Sequence, residues 1–351
     1  MPNKIPIIGF TTGDLNGVGL EILIKTLSNK SFTELCTPVV FASGNSFSFY
    51  KKKLTGYDFP YFTVKGVNWI PGKVNLYTTW NEEIKIEPGA IIETGARYAI
   101  KSLEKAVEFI KLGFIDALVT NPVSKENLHR AGFSFPGHTE YLGNQFNVKP
   151  IMIMVWDNLR VAPFSGHIPL ASVSAALSVD GLVQFIQTLD NSLKRDFYIS
   201  RPVIAVLGVN PHAGDKGLLG KEEIEIIQPA VQKLQNKGFL VSAPFSPDGF
   251  WASHAYEKYD CIVSMYHDQG LIPFKMLAGR EGVNYTANLP IVRVSPDHGP
   301  AFDIAGKNLA DEQSLRSAVY LALDILKNRK RFDSATTNTL KTAGKQIISE
   351  A

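Results

Sequence analysis

Short apolar runs alternate along the chain with longer stretches in which apolar residues recur at helical spacing. The runs predict buried strands over Lys4–Phe10, Pro38–Ala42, Asp116–Thr120, Pro202–Val209, Asp260–Met265 and Ile291–Val294. The helical spacing predicts helices over Val18–Leu27, Glu93–Gly113, Lys221–Gln235 and Ser314–Lys327. Because strands and helices alternate, the sequence predicts an α/β fold with a mostly parallel, doubly wound sheet.

Length and composition indicate an ordinary globular protein of two medium-sized domains. The chain has 351 residues, of which 45% are hydrophobic and 20% charged, so it can bury a sizeable core. A net charge of +3 and the lack of a long Lys/Arg run argue against nucleic-acid binding. No apolar run resembles a signal peptide or approaches membrane-spanning length, so we expect a cytoplasmic protein without membrane partners. Cys36 and Cys261 are isolated, and core packing is their expected role.

Three of the seven histidines directly follow apolar strands. His167 lies in SGHIPL, His212 in NPHAGD and His267 in YHDQGL, while a fourth polar loop, NPVSK, follows Val119. In open α/β sheets, functional residues gather in the loops after the carboxyl ends of strands. A single histidine there is more often structural. Three in equivalent places favour a divalent metal with an open position that polarises a substrate oxygen.

Other polar residues suit an anionic ligand. His138 and Thr139, in GHTE, can hydrogen-bond a carboxylate or phosphate, and the alternative is that Thr139 is a helix N-cap. Lys275, Asn284 and Arg293 supply two cations and an amide, which a phosphorylated small molecule requires. Any one of these three alone is more often a surface residue.

Two segments containing glycine are candidates for cofactor binding. TTGDLNGVG joins a strand to a helix, but its spacing does not match GxGxxG, so a tight turn with positive φ is its expected role. In SPDHGPAFDIAGK, small residues allow close approach to a flat ligand, and Asp303 can accept a hydrogen bond from a ribose 2′-hydroxyl. This predicts NAD rather than NADP. The alternative is a capped turn in which Asp303 is the N-cap of a helix.

Taken together and in order, these motifs resemble the 4-hydroxythreonine-4-phosphate dehydrogenase family of pyridoxal phosphate biosynthesis, within the isocitrate and isopropylmalate dehydrogenase superfamily. They span roughly Gly9 to Asp311 and comprise GHTEYL, SGHIPL, NPHAGD, YHDQGLIPFK, GVN followed by LPIVR, and HGPAFDIAGK. The resemblance implies a two-domain α/β/α structure with a cleft between the domains, and a homodimer whose interface helps to build the active site. We expect residues 1–128 and about 285–351 to form the first domain and about 129–284 the second.

The resemblance also implies a role for each candidate residue. The metal, which is zinc, cobalt, magnesium, nickel or manganese, is held across the dimer by His167, His212 and His267. The positions for the substrate are His138, Thr139, Lys275, Asn284 and Arg293. The positions for NAD are His298, Gly299, Ala301, Asp303 and Ile304. One departure is that the family commonly has Pro-Ala where this chain has Leu15-Asn16, which bears on the contacts of that loop and on substrate choice.

The implied reaction is the oxidation of 4-phosphohydroxy-L-threonine by NAD, followed by decarboxylation to 3-amino-2-oxopropyl phosphate. A divalent metal favours the alkoxide from which hydride passes to the nicotinamide, and it stabilises the enolate as carbon dioxide leaves. Asp248, Asp268 and Lys275 are unranked candidates for proton transfer. The alternatives are a paralogous dehydrogenase of threonate or erythronate 4-phosphate, a three-histidine metal hydrolase, and a non-catalytic sugar-phosphate binding protein.

Overall fold

A computed structural model describes residues 5–337 apart from the side chain of Ala243. Lys4, at the start of the first expected strand, and residues 338–351 of the expected first domain lie outside this range. Twelve strands form one sheet: β1 (Ile7–Thr11), β2 (Thr37–Ala42), β3 (Tyr61–Val64), β4 (Val74–Thr78), β5 (Ala117–Val119), β6 (Ile151–Trp156), β7 (Leu159–Pro163), β8 (Val203–Leu207), β9 (Leu240–Phe245), β10 (Cys261–Ser264), β11 (Val283–Ala287) and β12 (Val292–Pro296).

Helices cover both faces of this sheet, as expected when strands and helices alternate. The α-helices in the described residues are α1 (Gly19–Ser28), α2 (Lys30–Leu35), α3 (Gly44–Lys53), α4 (Glu93–Lys111), α5 (Lys125–Arg130), α6 (His138–Phe146), α7 (Val173–Ala176), α8 (Val179–Asp196), α9 (Gln228–Gln235), α10 (Pro247–Ala252), α11 (His267–Ala278) and α12 (Gln313–Thr337). No single helix within residues 5–337 is long and apolar enough to cross a membrane.

The strands are ordered β3-β4-β2-β1-β5-β12-β11-β6-β7-β10-β8-β9 across the sheet. The pairs β12/β11, β11/β6 and β6/β7 at its centre are antiparallel, and the remaining neighbours are parallel. The α/β class with a mostly parallel sheet is therefore confirmed, and the antiparallel centre is an addition to it. Its sequence signal is the pair Asp157-Asn158, which closes a two-residue hairpin between β6 and β7 with Asp157 at a φ of 47°.

Most of the expected elements are present, with shifted ends. The expected strand Pro202–Val209 is β8, the helix over Val18–Leu27 is α1, and the last helix extends to Thr337 instead of ending at Lys327. The expectation of a single helix over Lys221–Gln235 is wrong in its first turns, because Glu223–Ile227 is a π-helix that leads into α9. Single π-helical turns of this kind are frequently found at functional sites.

Amphipathic α4 shows how the pattern produces the packing. Its apolar side, which includes Leu103, Val107 and Ile110, is buried against the sheet, and the helix ends just before Gly113, where φ is 75°. Cys36 and Cys261 are free thiols buried in the core, and burial raises the pKa of each to about 12. Both cysteines therefore pack as small apolar side chains, as expected.

A buried polar network ties α12 to the centre of the sheet. Arg329 donates from Nε to Asp196 at 2.7 Å and from Nη2 to the hydroxyl of Tyr285, which itself donates to Asp196 at 2.6 Å. Arg329 also lines a cavity of about 610 Å³ together with Ile115 and Asp116. Ile115 and Asp116 lie just before the first residue of β5, so the cavity is at the opposite end of this strand from the NPVSK loop.

Candidate functional site

Arg293, on β12, is the central buried cation of the site. Only 3% of the residue is exposed. Its Nε and Nη2 donate to the hydroxyl of Thr120, at 3.1 and 2.6 Å, and its Nη1 donates to Thr286 at 2.8 Å. Burial lowers its pKa to about 10, and the carboxylate of Glu140 opposes this shift. The guanidinium therefore keeps its charge at neutral pH in a site that is mostly removed from water.

His138, the first residue of α6, packs beside this guanidinium. Its Nδ1 lies 3.4 Å from Arg293 Nη2, and because a guanidinium only donates, Nδ1 accepts and the ring proton is on Nε2. Burial, followed by the charge of Arg293, lowers the pKa of His138 to about 3. Gly137, and not Thr139, is the N-cap of α6, so the alternative role of Thr139 as a helix cap is wrong.

Asn284 and Lys275 approach the site from β11 and α11. Asn284 is paired with Ser295 across the sheet, and its Oδ1 is buried without a hydrogen-bond partner among residues 5–337. Lys275 Nζ lies 2.8 Å from Asp297 Oδ1 and donates to the main-chain oxygen of Asp297 at 3.0 Å. Burial raises the pKa of Asp297, and the charges of Lys275, His298 and His267 oppose that shift.

His167 and His267 lie side by side, with ring centroids 5.1 Å apart. Two imidazoles bound tetrahedrally to one ion at about 2.1 Å have ring centres roughly 5 Å apart, so this separation fits a shared metal. His267 Nδ1 lies 2.6 Å from Asp268 Oδ1. Because the carboxylate only accepts, Nδ1 carries the proton and the lone pair of Nε2 is free for a metal. Burial lowers the pKa of His167, which favours the neutral form that binds metals.

His212 does not join this pair within one chain. Within the described range, no group of three or more His, Cys, Asp or Glu side chains is close enough to hold a metal ion. His212 is exposed. The pKa of Asp248 is lowered by hydrogen bonds from Ser246 and from the main chain of Gly249, and the charge of His212 makes a smaller contribution. The single chain thus supplies two adjacent histidines and one separate histidine.

The loop that carries His212 is wound in the left-handed sense. Residues 212–216 have φ values of 52°, 50°, 80°, 40° and 53°, and four of these five residues are not glycine. This conformation costs roughly 1–2 kcal/mol for each non-glycine residue. Fully buried Glu223 counteracts it, because its Oε1 accepts from the main-chain N–H groups of Val209 and Asn210, both at 2.7 Å. Such strain is typical of functional loops.

The segment after β12 contains the residues expected to bind NAD. Nδ1 of His298 lies 2.9 Å from its neighbour's carbonyl oxygen and therefore carries the proton, which leaves Nε2 as an acceptor. That Nε2 is buried and has no partner among residues 5–337. Asp303 is exposed in a turn, and α12 begins only at Gln313, so its alternative role as a helix N-cap is wrong. Ala301 has a φ of 42° in this turn, while Gly299 is exposed and Ile304 packs partly against the core.

A buried ion pair on α1 holds the segment after β12 in place. Glu21 Oε2 accepts from Gly306 N, and Glu21 Oε1 accepts from Ala310 N, both at 3.0 Å. Lys25 Nζ donates to Glu21 Oε1 at 3.1 Å and to the main-chain oxygen of Ala310 at 2.6 Å. The second half of the DIAGKNLA stretch, from Gly306 to Ala310, is therefore fixed to one helix.

The TTGDLNGVG turn packs directly against this segment. Gly13 has a φ of 68°, as expected for a tight turn, and a Cβ on Gly17 would lie 2.8 Å from Pro300 Cβ. Asn16, at the position where the family commonly has Ala, is 1% exposed and its Oδ1 accepts from Glu87 N at 2.9 Å. Its side chain thereby holds the 87–89 segment, and a Cβ on Gly89 would lie 2.9 Å from Phe302 O.

Four residues of the site were not predicted from the sequence, namely Asp297, Glu223, Lys125 and Glu140. Asp297 and Glu223 have no distinguishing local pattern, although Asp297 lies in the PDHG segment beside His298. Lys125, from the NPVSK loop, is exposed and its charge contributes to lowering the pKa of His167, while that of Glu140 opposes the shift. Both side chains approach Gly137, where a Cβ would lie 3.2 Å from Glu140 Oε2 and 3.6 Å from Lys125 Cε. The polar residues of NPVSK and GHTE were the available signals.

Comparison with known proteins shows which family the chain resembles over most of its length. The family model described as pyridoxal phosphate biosynthetic protein PdxA matches residues 34–322. The chain belongs to this family. It is 42% identical to a 4-hydroxythreonine-4-phosphate dehydrogenase of Bacteroides thetaiotaomicron, over 97% of this chain and 93% of that protein. A D-threonate 4-phosphate dehydrogenase of Pectobacterium atrosepticum is 37% identical over 91% of this chain and 99% of that protein.

Solved structures agree with the assignment to the PdxA family. The crystal structure of 4-hydroxythreonine-4-phosphate dehydrogenase from Klebsiella pneumoniae has a TM-score of 0.78 and 33% identity, covering 92% of this chain and 99% of that chain. Isocitrate dehydrogenase from Methylococcus capsulatus has a TM-score of 0.50 at 11% identity, covering 95% and 89% of the two chains, and shows the fold alone. The expected isocitrate dehydrogenase-like α/β fold is thus confirmed. As a member of the PdxA family, the chain is an oxidoreductase that acts on a CH–OH group.

Proposed function

We propose that the protein oxidises 4-phosphohydroxy-L-threonine with NAD and a divalent metal and then decarboxylates the product to 3-amino-2-oxopropyl phosphate. The observation that carries this proposal is the buried Arg293, which lies beside His138. The charge of Glu140 acts on both Arg293 and His167, and His167 is adjacent to His267. A charge held at such a position favours a phosphorylated anion. The relatives named for this activity supply the choice of substrate.

The substrate groups follow from the contacts of each side chain. Thr120, Thr286 and His138 occupy four of the five N–H groups of Arg293, which leaves one N–H and the full charge for the phosphate. His138 donates from Nε2, and the free Oδ1 of Asn284 accepts from an ammonium or hydroxyl group of the substrate. Thr139 and Lys275 complete the set that we assign to the substrate.

The metal is held by His167 and His267 of one subunit and, we propose, by His212 of a second copy. When bound, the metal polarises the substrate hydroxyl and the developing enolate. The adjacent pair and the Asp268 contact fit this assignment, and they make Asp268 a ligand-orienting group instead of a proton acceptor. Exposed apolar side chains lie on all three histidine-bearing segments and fit a dimer interface: Ile168, Leu170, Leu218, Leu219, Ile272 and Met276.

NAD is proposed to bind along the segment from His298 to Ile304. The unpartnered Nε2 of His298 is an acceptor for a ligand donor, and exposed Asp303 accepts from a ribose hydroxyl and repels a 2′-phosphate. Asp303→Ala should therefore reduce the preference for NAD over NADP, and unchanged selectivity would refute this contact. We also propose a cytoplasmic homodimer with two domains, residues 5–128 with 285–337 and residues 129–284.

The direct test is absorbance at 340 nm with purified protein, NAD, zinc or another divalent metal, and 4-phosphohydroxy-L-threonine. Reduction of NAD with this compound supports the proposal. D-threonate and D-erythronate 4-phosphates are run in parallel, because the Pectobacterium relative makes a sugar-acid phosphate the second candidate substrate. Turnover of these alone would overturn the choice of substrate. Silence with all three would overturn the dehydrogenase assignment and favour a metal hydrolase.

Subunit mixing tests the shared metal site. The variants His212→Ala and His267→Ala should each be inactive, because each lacks one ligand in every site. If His212 comes from the second copy, a mixed dimer contains one intact site, and random mixing should restore roughly a quarter of wild-type activity. If all three ligands came from one chain, every subunit in the mixture would lack one ligand and no activity would return. An absence of recovery would therefore overturn the shared site.

A further inference from the structure

We propose that Asp297 is a positioning residue that orients the ammonium group of Lys275 toward the substrate. Lys275 and Asp297 belong to different elements, α11 and the loop after β12, and they meet at the border between the metal and cofactor residues. The inference depends on the proposed function only in its kinetic test.

The contact between these two residues has two points. Lys275 Nζ lies 2.8 Å from Asp297 Oδ1 and donates to the main-chain oxygen of the same residue at 3.0 Å. An ammonium group has three N–H donors, so this grip occupies two of them and fixes the direction of the third. A lysine on a flexible four-carbon stem would otherwise lose side-chain entropy when it orders against a ligand.

Asp297 is itself held rigidly. Its main-chain N donates to Ser314 Oγ at 2.9 Å, and Ser314 Oγ donates to Gly282 O at 2.6 Å. A Cβ on the same Gly282 would lie 3.0 Å from Asp297 Oδ2, so the carboxylate packs closely against that glycine. The carboxylate has little room to turn, and only Oδ1 faces Lys275. A supported side chain of this kind is what accurate positioning requires.

The surroundings explain why a positioned lysine is useful at this place. Asp297 is followed directly by His298, and its carboxylate is within electrostatic range of both His298 and His267. Lys275 lies about two helical turns after His267 on α11. On this proposal, the third N–H of Lys275 is directed into the space between the proposed cofactor segment and the proposed metal ligands, where a bound substrate would react.

The pairing can be tested without any activity by labelling lysines with an amine-reactive acetylating reagent and reading each site by mass spectrometry. Lys233 is an internal reference, because its side chain is 56% exposed, close to the 49% of Lys275, and its partner Asp180 is almost fully exposed. Asp297→Ala should raise the labelling rate of Lys275 several-fold relative to that of Lys233, because it removes the partner that holds the Lys275 ammonium group. The exposed Asp180 protects Lys233 little, so the labelling rate of Lys233 should not change. An unchanged ratio would overturn the pairing.

The kinetic test is a double-mutant cycle between positions 297 and 275. Asp297→Ala should lower kcat/KM by roughly 10- to 100-fold, as expected for a misplaced binding group. Asp297→Asn keeps an acceptor oxygen and should retain activity within about fivefold of wild type. In a Lys275→Gln background, either change should cost less than about twofold, because Asp297 would have nothing left to position. An equal loss in both backgrounds would overturn the inference.

Two controls separate this inference from other failures. Asp180→Asn makes the same chemical change in an exposed ion pair and should leave kcat/KM unchanged. If Asp297→Ala does not fold, Asp297→Leu, which has the same branched shape as aspartate and no acceptor atom, carries both tests. Wild-type protein that is inactive with every substrate would refute the proposed function, whereas labelling that ignores Asp297 refutes the positioning role alone.

Discussion

The hydroxyl of Thr120 accepts two hydrogen bonds from the guanidinium of Arg293, although the two residues are 173 positions apart in the chain. Thr120 is the first residue after β5, and Arg293 lies on the neighbouring strand β12. One oxygen thereby orients a buried charge toward the His138 side of the site. Orientation of that charge determines how a phosphate can approach it.

Thr120→Val is expected to raise KM for the phosphorylated substrate about tenfold while kcat changes less than about threefold. The isosteric change leaves two N–H groups of Arg293 without an acceptor, which costs about 1–3 kcal/mol, and the guanidinium can then rotate. Steady-state kinetics at saturating NAD measure this. Thr286→Val removes an acceptor from one N–H only and should have a smaller effect. A fall in kcat at constant KM would contradict the anion-binding role of Arg293.

Glu21→Gln is expected to weaken NAD binding and to lower the free energy of unfolding by about 3 kcal/mol, because it leaves Lys25 buried at 5% exposure without its counter-charge. A glutamine also offers one acceptor oxygen where Gly306 and Ala310 use two. Calorimetric titration with NAD and urea unfolding provide the two measurements.

The matched control for Glu21→Gln is Glu93→Gln on α4. Glu93 is paired with Arg97 at the same i,i+4 spacing, but their side chains are 47% and 60% exposed. An exposed pair of this kind contributes about 0.5 kcal/mol or less. Comparable losses in the two variants would show that burial of the Glu21 pair has no special role at the cofactor segment.

The sequence was sufficient to predict the α/β class, the main strands and the loops that carry the polar residues, because apolar periodicity and strand order are local signals. It was insufficient where a feature depends on distant partners. The pairing of Lys275 with Asp297 requires α11 to pack next to the end of β12. The hydrogen bond from the main chain of Asn210 to Glu223 accompanies a left-handed loop that no local pattern predicts. His212 shows the same limit, since its expected metal partners are not adjacent to it within one chain.

Glu223→Gln is expected to weaken zinc binding by about tenfold or more, although Glu223 is not a proposed ligand. The Oε1 atom of Glu223 accepts from two main-chain N–H groups at the start of the left-handed loop, and a neutral amide accepts these bonds less strongly. The loop should then relax and carry His212 away from the position it needs. Competition with a fluorescent zinc chelator measures the affinity. Glu222→Gln, at the neighbouring position, is the control, because the Glu222 carboxylate accepts from the side chains of Ser174 and Asn210 and not from the main chain of Val209 and Asn210. Equal effects of both changes would contradict this explanation.

Protein stability should decrease as the pH falls from about 6.5, the ordinary pKa of histidine, because His138 is buried in its neutral form. Its folded-state pKa is lowered to about 3 by burial and by Arg293. Between these two values the unfolded chain binds a proton at His138 that the folded protein does not bind, so acid favours unfolding. The contribution of this one group is up to about 1.4 kcal/mol per pH unit.

His138→Gln should therefore flatten the dependence of the free energy of unfolding on pH between about 6.5 and 4, by the equivalent of one proton at most. Urea unfolding followed by tryptophan fluorescence at a series of pH values measures the two slopes. His254→Gln is the matched control, because it removes a histidine whose side chain is 65% exposed, and its slope should equal that of the wild type. If His138→Gln retains the wild-type slope, the histidine is not buried in its neutral form, and the arrangement around Arg293 must differ from the one described.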